Sequence, residues 1–142
     1  MKTLFLTMLA GSILILASCK AEFDPIDYGH DACTHCKMTI VDKRYAAEIL
    51  TKKGKAYKFD DIVCLKKYIG EKKMPLDDLS IFVADYKNPE SNFLDAQFAV
   101  YLHSDIFKSP MNGCFAAFAK PEDAWRLKDS LNTDLLKWEN LN

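Results

Sequence analysis

Two short runs of apolar and β-prone residues, Tyr45 to Thr51 and Ala56 to Phe59, flank Lys52-Lys53-Gly54-Lys55, and that arrangement predicts a β-hairpin. Asp60 and Asp61 then offer side-chain oxygens to cap a helix, and Ile62, Leu65 and Ile69 follow at helical spacing, with Cys64 and Tyr68 on a neighbouring stripe. Gly70 and Pro75 close that helix, and Ser80 to Asp85 reads as a further strand. The order then recurs. Phe98 to Leu102 is a strand, Ser109 to Gly113 a turn, and Phe115 to Phe118 a return strand. Pro121 suits a first helical position, Glu122 and Asp123 favour a helix N-terminus, and Ala124, Leu127 and Leu131 carry the pattern on. Leu135, Leu136 and Trp138 predict a final short strand. Two hairpin-plus-helix units, each too small to bury its own apolar face, predict one compact α+β domain of two ββα-like halves.

The N-terminus has a different pattern. Lys2, the apolar run from Leu4 to Leu16 and the sequence Leu16-Ala17-Ser18-Cys19 form an export signal over residues 1–18, too short to span a bilayer. Leu-Ala-Ser-Cys resembles a bacterial lipobox, which makes Cys19 a lipid carrier. Residues 19–31, polar and without periodicity and containing Pro25 and Gly29, read as the lipidated Cys and a tether, leaving residues 32–142 for the domain. Lys and Arg number 19 against 20 Asp and Glu, so the chain carries no nucleic-acid footprint.

Four cysteines remain beyond Cys19: Cys33, Cys36, Cys64 and Cys114. In an oxidising envelope they could form disulfides, with three possible pairings, or bind metal. The densest chemistry is Cys33-Thr34-His35-Cys36-Lys37-Met38, two thiols, an imidazole and a thioether in six residues. Thiolate and thioether together select Cu(I), whereas zinc sites use Cys and His. Neither Cys64 nor Cys114 has a partner two residues away, which disfavours a four-thiolate zinc site. Lys37 stands where c-type haem attachment requires His. A thioredoxin-like dithiol would sit at a helix N-terminus after a buried strand, but here Tyr28 to Ala32 precedes it and the strand-like Met38 to Val41 follows. Met111, in a Pro-Met-Asn-Gly turn, is presented rather than packed by helical repetition. A fold that sets this turn over the knuckle gives a site of Cys33, Cys36, Met38 and Met111. His35 is either a supplementary ligand or an exposed polar residue, Cys64 a core residue or a ligand, and Met74 core filler.

The combined pattern resembles the NosL family of lipoprotein copper chaperones associated with assembly of nitrous oxide reductase. The matching pieces are Cys19, Cys33-x-x-Cys36-x-Met38, Tyr57-Lys58-Phe59-Asp60-Asp61 with Cys64, Phe93-Leu94-Asp95-Ala96, Ala99-Val100-Tyr101, and Ser109-Pro110-Met111 leading into Ala117-Phe118. Phe93 stands where the family often has Trp, and Asn112 and Cys114 where it often has Gly, which leaves open whether Cys114 adds a ligand. The resemblance implies two ββα units related to the metal-binding domain of the organomercurial lyase MerB. It also implies a non-enzymatic Cu(I) chaperone, lipid-anchored in the bacterial envelope and facing the periplasm, with a copper donor and a copper-accepting enzyme, nitrous oxide reductase, as partners. The competing readings are an envelope thiol-disulfide reductant that maintains a partner's copper-site cysteines, and a disulfide-bonded scaffold.

Overall fold

The computed structural model describes residues 23–91 and 93–141. The signal segment, Cys19 and the first residues of the tether lie outside them. The first unit runs β1 (Ala47–Thr51), β2 (Ala56–Phe59), α1 (Ile62–Lys72), β3 (Leu79–Val83) and β4 (Leu94–Asp95). Its four strands form one antiparallel sheet in the order β2-β1-β3-β4. The second unit is the hairpin β5 (Val100–His103) and β6 (Phe115–Phe118), followed by α2 (Pro121–Leu131).

Register decides which residues share a face. Ala47 lies opposite Phe59 and Val83, and Ile49 opposite Tyr57 and Ile81, so these six side chains line one face of the sheet. Helix α1 covers it, with Ile62, Cys64 and Leu65 in the same core and Tyr68 against the rings of Tyr57 and Phe59. Phe59 and Leu65 are fully buried, worth about 2 kcal/mol each relative to exposure. As expected from sequence, Asp61 caps α1: it is extended, and its side chain accepts from Val63 N. The helix ends at Lys73 in the left-handed region, with Pro75 beyond.

The second unit repeats the first in shorter form. Both helices have 11 residues, and each begins three residues after a buried Phe, Phe59 or Phe118. Helix α2 opens with Pro121 at its first turn and closes at Asn132, left-handed like Lys73. Its core is Leu102, Phe107, Ala116, Phe118 and Ala124, joined from the first unit by Tyr45. The predicted last strand is reduced to one bridge, Leu136 to Tyr101. It stops there because Trp138–Asn140 winds into a 3-10 turn that buries Trp138 against Tyr101, with the Lys66 ammonium over its ring. In the first unit the same place, beside the first strand of the hairpin, is taken by the full strand β3.

From Phe23 on, the segment read as tether is laid across the other face of the sheet. Glu48, Lys58 and Phe82 share that face by register. Phe23 packs on Phe82 and Phe93, Asp24 N donates to Glu48 Oε1 at 2.8 Å, and Lys58 Nζ donates to Pro25 O and Asp31 Oδ2. Ile26 is buried beneath it.

This strap encloses Glu48 completely and leaves its Oε2 without a partner. Burial pushes the carboxyl up to about 7, partly opposed by the bond from Asp24. A folded-state value above the unfolded one means that the folded chain holds the proton longer, so stability is full below the ordinary carboxylate range and falls as pH rises through about 7. Glu48→Gln keeps the acceptor for Asp24 N and removes the charge. On raising the pH from 5 to 8, the variant gains about 1 to 3 kcal/mol over the parent in urea unfolding. Parallel pH profiles for the two proteins would contradict this.

Candidate metal centre

The knuckle is a loop closed by its own backbone. Ala32 and Thr39 bridge, Cys33 N donates to Met38 O at 2.8 Å, and Lys37 N donates to Cys33 O at 3.0 Å. Lys37 takes φ 68° to make the return, and its ammonium bonds Thr34 O. The strand expected from Met38 to Val41 is only this bridge at Thr39. Thr34 N donates to Lys58 O, which pins the loop to the open edge of β2. Two residues further along β2 the chain turns into α1 through Asp60 and Asp61, and Cys64 lies in the first turn of the helix.

These placements converge. One side-chain donor atom from each of Cys33, Cys36, Asp60 and Cys64 lies within 4.8 Å of every other. Four donors set tetrahedrally about 2.3 Å from one ion lie about 3.8 Å apart, and four atoms within 4.8 Å of one another all lie within about 2.9 Å of a common centre, so shifts of well under an ångström would gather all four around one ion. Cys33, Asp60 and Cys64 are buried and Cys36 is partly exposed, so the cluster opens to solvent at Cys36. The Cys36 thiol donates to Asp60 Oδ2 at 3.3 Å, while Asp60 Oδ1 is buried with no partner. An orphaned carboxylate oxygen among three thiols suits a cation, which would supply what the protein does not.

Burial pushes the Cys33 thiol up to about 11, and the neighbouring Asp60 side chain adds to the shift. Cys64 is raised further, by burial and then by the charges of Cys33 and Asp60, despite its place at a helix N-terminus. Without a cation these are protonated thiols; a bound soft metal would displace the protons. All four cysteines of the domain are free thiols, and neither a Cys33–Cys36 nor a Cys64–Cys114 disulfide is formed.

Of the residues expected at the site, the structure brings Cys33 and Cys36 together and adds Cys64, which sequence left between core and ligand. Met38 and Met111 are both exposed, at 52% and 38%. Met111 is nevertheless held close by, because Asp61 Oδ2 accepts from Met111 N at 2.9 Å and Gly113 N at 3.4 Å. The turn thus sits on the N-terminus of α1, one residue from Asp60. Gly113 is required there, since a Cβ would lie 2.7 Å from Asp61 Oδ1. His35 pairs with Glu71 across 3.5 Å, outside the four-donor cluster. Cys114 is also outside it. Its backbone is left-handed and its thiol faces Asn112 O at 3.5 Å. Asp60 was missed as a donor because two adjacent acids before a helix both read as caps. The available signal was that only one of them can occupy the cap position.

Together these features define a class: a small α+β domain of two ββα units with a buried cluster of soft donors where the first hairpin meets its helix. The NosL family profile matches residues 27–142, and the chain belongs to the NosL family. Among solved structures, the crystal structure of the copper chaperone NosL from Shewanella denitrificans shares the fold, with a TM-score of 0.70 at 18% identity, covering 87% of this chain and 97% of that one. A comparison with curated proteins finds no match. Among the described residues, no helix is long and apolar enough to cross a membrane.

Proposed function

We propose that the protein is a Cu(I) carrier, lipid-anchored through Cys19 in a bacterial envelope and facing the periplasm. It takes the ion from a copper donor and delivers it to a copper-accepting enzyme, nitrous oxide reductase being the acceptor that the family resemblance favours. It performs no covalent chemistry on a substrate and is not an enzyme. The single observation that carries the reading is the cluster of three cysteine sulfurs and Asp60 within 4.8 Å, with a mouth at Cys36.

Cu(I) is a soft ion that accepts low coordination, and thiolates are its preferred ligands. In this reading Cys33 and Cys64 grip the ion from the buried side, and Cys36 is the ligand that an incoming donor displaces first. Met38 and Met111 are thioethers exposed at the knuckle and at the docked turn, suited to hold the ion weakly as it enters or leaves. Exchange by stepwise replacement of ligands keeps transfer fast at high affinity. The raised thiols of Cys33 and Cys64, and a dithiol carried on a loop and not in the first turn of a helix, make the reductant reading the weaker one, because a nucleophilic cysteine needs an acidic thiol. Asp60 favours one rival ion: Zn2+ would close a tetrahedron with three thiolates and the carboxylate.

Anaerobic titration of the mature chain with Cu(I), against a chromophoric chelator, tests the assignment. We expect one tightly held ion per chain, undisplaced by equimolar Zn2+, and a loss of about a hundredfold or more in affinity for Cys33→Ser with Cys36→Ser. If the double variant binds Cu(I) as tightly as the parent, the site lies elsewhere.

A further inference from the structure

The strap gives the anchored molecule a direction. At the β4 edge of the sheet Phe23 stacks on Phe93, ring centroids 4.0 Å apart, and meets Phe82 edge-on at 6.1 Å. From there the chain crosses the sheet. Asp24 N bonds Glu48 on β1, and Lys58 on β2 holds Pro25 O and Asp31 Oδ2. It then enters the knuckle, which hangs on the outer edge of β2 by the bond from Thr34 N to Lys58 O. Since the strand order is β2-β1-β3-β4, the strap starts at one edge and delivers the thiol cluster at the other, about 14 Å or three strand spacings away.

We infer that a lipid bilayer covers the edge at Phe23 and Phe93, and that the thiol cluster at the β2 edge is turned to the aqueous side. The inference rests on the lipid at Cys19 proposed above. Only Lys20, Ala21 and Glu22 separate Cys19 from Phe23. Fully extended, that connection spans about 14 Å from Cα to Cα, so the backbone of the acylated Cys19 lies within about that distance of the Phe23 backbone, which is fixed to the sheet. The headgroup layer is itself several ångströms deep, so of all the described surface that around Phe23 is held nearest to it. The surface there is an open groove of about 550 Å3 lined by Phe23, Pro25, Tyr28, Phe82 and Phe93, with the Lys43 ammonium at its rim paired to Glu90. Aromatic rings beside paired charges are what the interfacial layer accepts, the rings among the glycerols and the charges in water. The consequence is directional: a copper acceptor approaches Cys36 from water and need not displace lipid.

The test compares hydrogen–deuterium exchange of the full lipidated chain in phospholipid vesicles with that of its Cys19→Ser counterpart, purified without its signal segment. Intact mass reports the lipid on Cys19 and vesicle flotation reports anchoring. We expect exchange slowed about fivefold or more in residues 23–28 and 89–93, and changed less than about twofold in residues 33–38. A lipidated, floating protein protected at 33–38 instead, or not protected at 23–28, overturns the orientation and leaves the anchor standing. A mature chain without added mass on Cys19 overturns the anchor, and the orientation falls with it.

Discussion

Cys64→Ser is expected to weaken Cu(I) binding by about a hundredfold or more, the largest single-residue effect at the site. Loss of a neighbour that merely orients a ligand costs about 10- to 100-fold, and loss of a ligating sulfur should cost at least as much. Cys64 is 1% exposed, at the first turn of α1, in the same donor cluster as Cys33, Cys36 and Asp60. Serine nearly preserves the shape but replaces a soft donor with a hard one, which Cu(I) binds poorly. The buried hydroxyl costs about 1 to 2 kcal/mol of stability, so the variant should fold and the affinity loss should not be an unfolding artefact. Met38→Leu and Met111→Leu are the comparison. Both side chains are exposed, so as transfer ligands their removal should lower affinity less than about tenfold and slow release to a thiol acceptor instead. Chelator competition gives the affinities and stopped-flow transfer the rates. If Cys64→Ser binds like the parent while a Met variant loses a hundredfold, the thioethers form the resting site and Cys64 is core.

Why only one half of the repeat carries the site follows from aligning the halves on Phe59 and Phe118. Asp60 then corresponds to Ala119 and Cys64 to Asp123, so the second strand-to-helix turn has neither the thiol nor the carboxylate next to the strand. The second half contributes differently. Its Ser109–Gly113 turn is docked on Asp61 of the first, and its Trp138 closes over Lys66 of α1. One unit supplies the donor cluster and the other holds the end of the helix that carries Cys64.

Much of this was legible because the signals were local. Ile62, Leu65 and Ile69 behind Asp61 specify α1, and Pro121 with Glu122 specifies the start of α2. The hairpin turn at Gly54 falls where its φ of 78° demands glycine. What sequence could not show depends on partners distant along the chain. Strand β4 has two residues, too few for any period, and exists because β3 offers an open edge to Leu94 and Asp95. The strap lacks periodicity because it packs as a crossing strip: its order comes from Glu48 and Lys58, which in a strand read as solvent-facing. Asp60 looked like a helix cap until the knuckle folded onto it, and Cys64 looked like core because it is core as well as a member of the cluster. Residues with two roles are the ones that pattern reading assigns to the commoner role.

Asp61→Ala is expected to cost about 3 kcal/mol and lower the melting temperature by about 10 °C, the largest stability effect in the domain outside its apolar core. The carboxylate is 1% exposed and accepts from three backbone donors, Val63 N at 3.0 Å, Met111 N at 2.9 Å and Gly113 N at 3.4 Å. Losing the helix cap alone costs about 1 kcal/mol. The two turn donors then lose a charged acceptor, at about 1 to 3 kcal/mol each, reduced where the turn lifts off and reaches water. Lifting off is the functional consequence, because it frees the segment that carries Met111. Asp61→Asn separates the parts. Its amide oxygen can still cap Val63 N, but its NH2 group meets the two turn donors, so it should keep α1 and lose the docking, at about half the alanine cost. Urea unfolding measures both losses, and hydrogen exchange at residues 109–113 should rise in both variants. A loss below about 1 kcal/mol for Asp61→Ala would mean that the turn is held by its other contacts and that Met111 does not owe its position to Asp61.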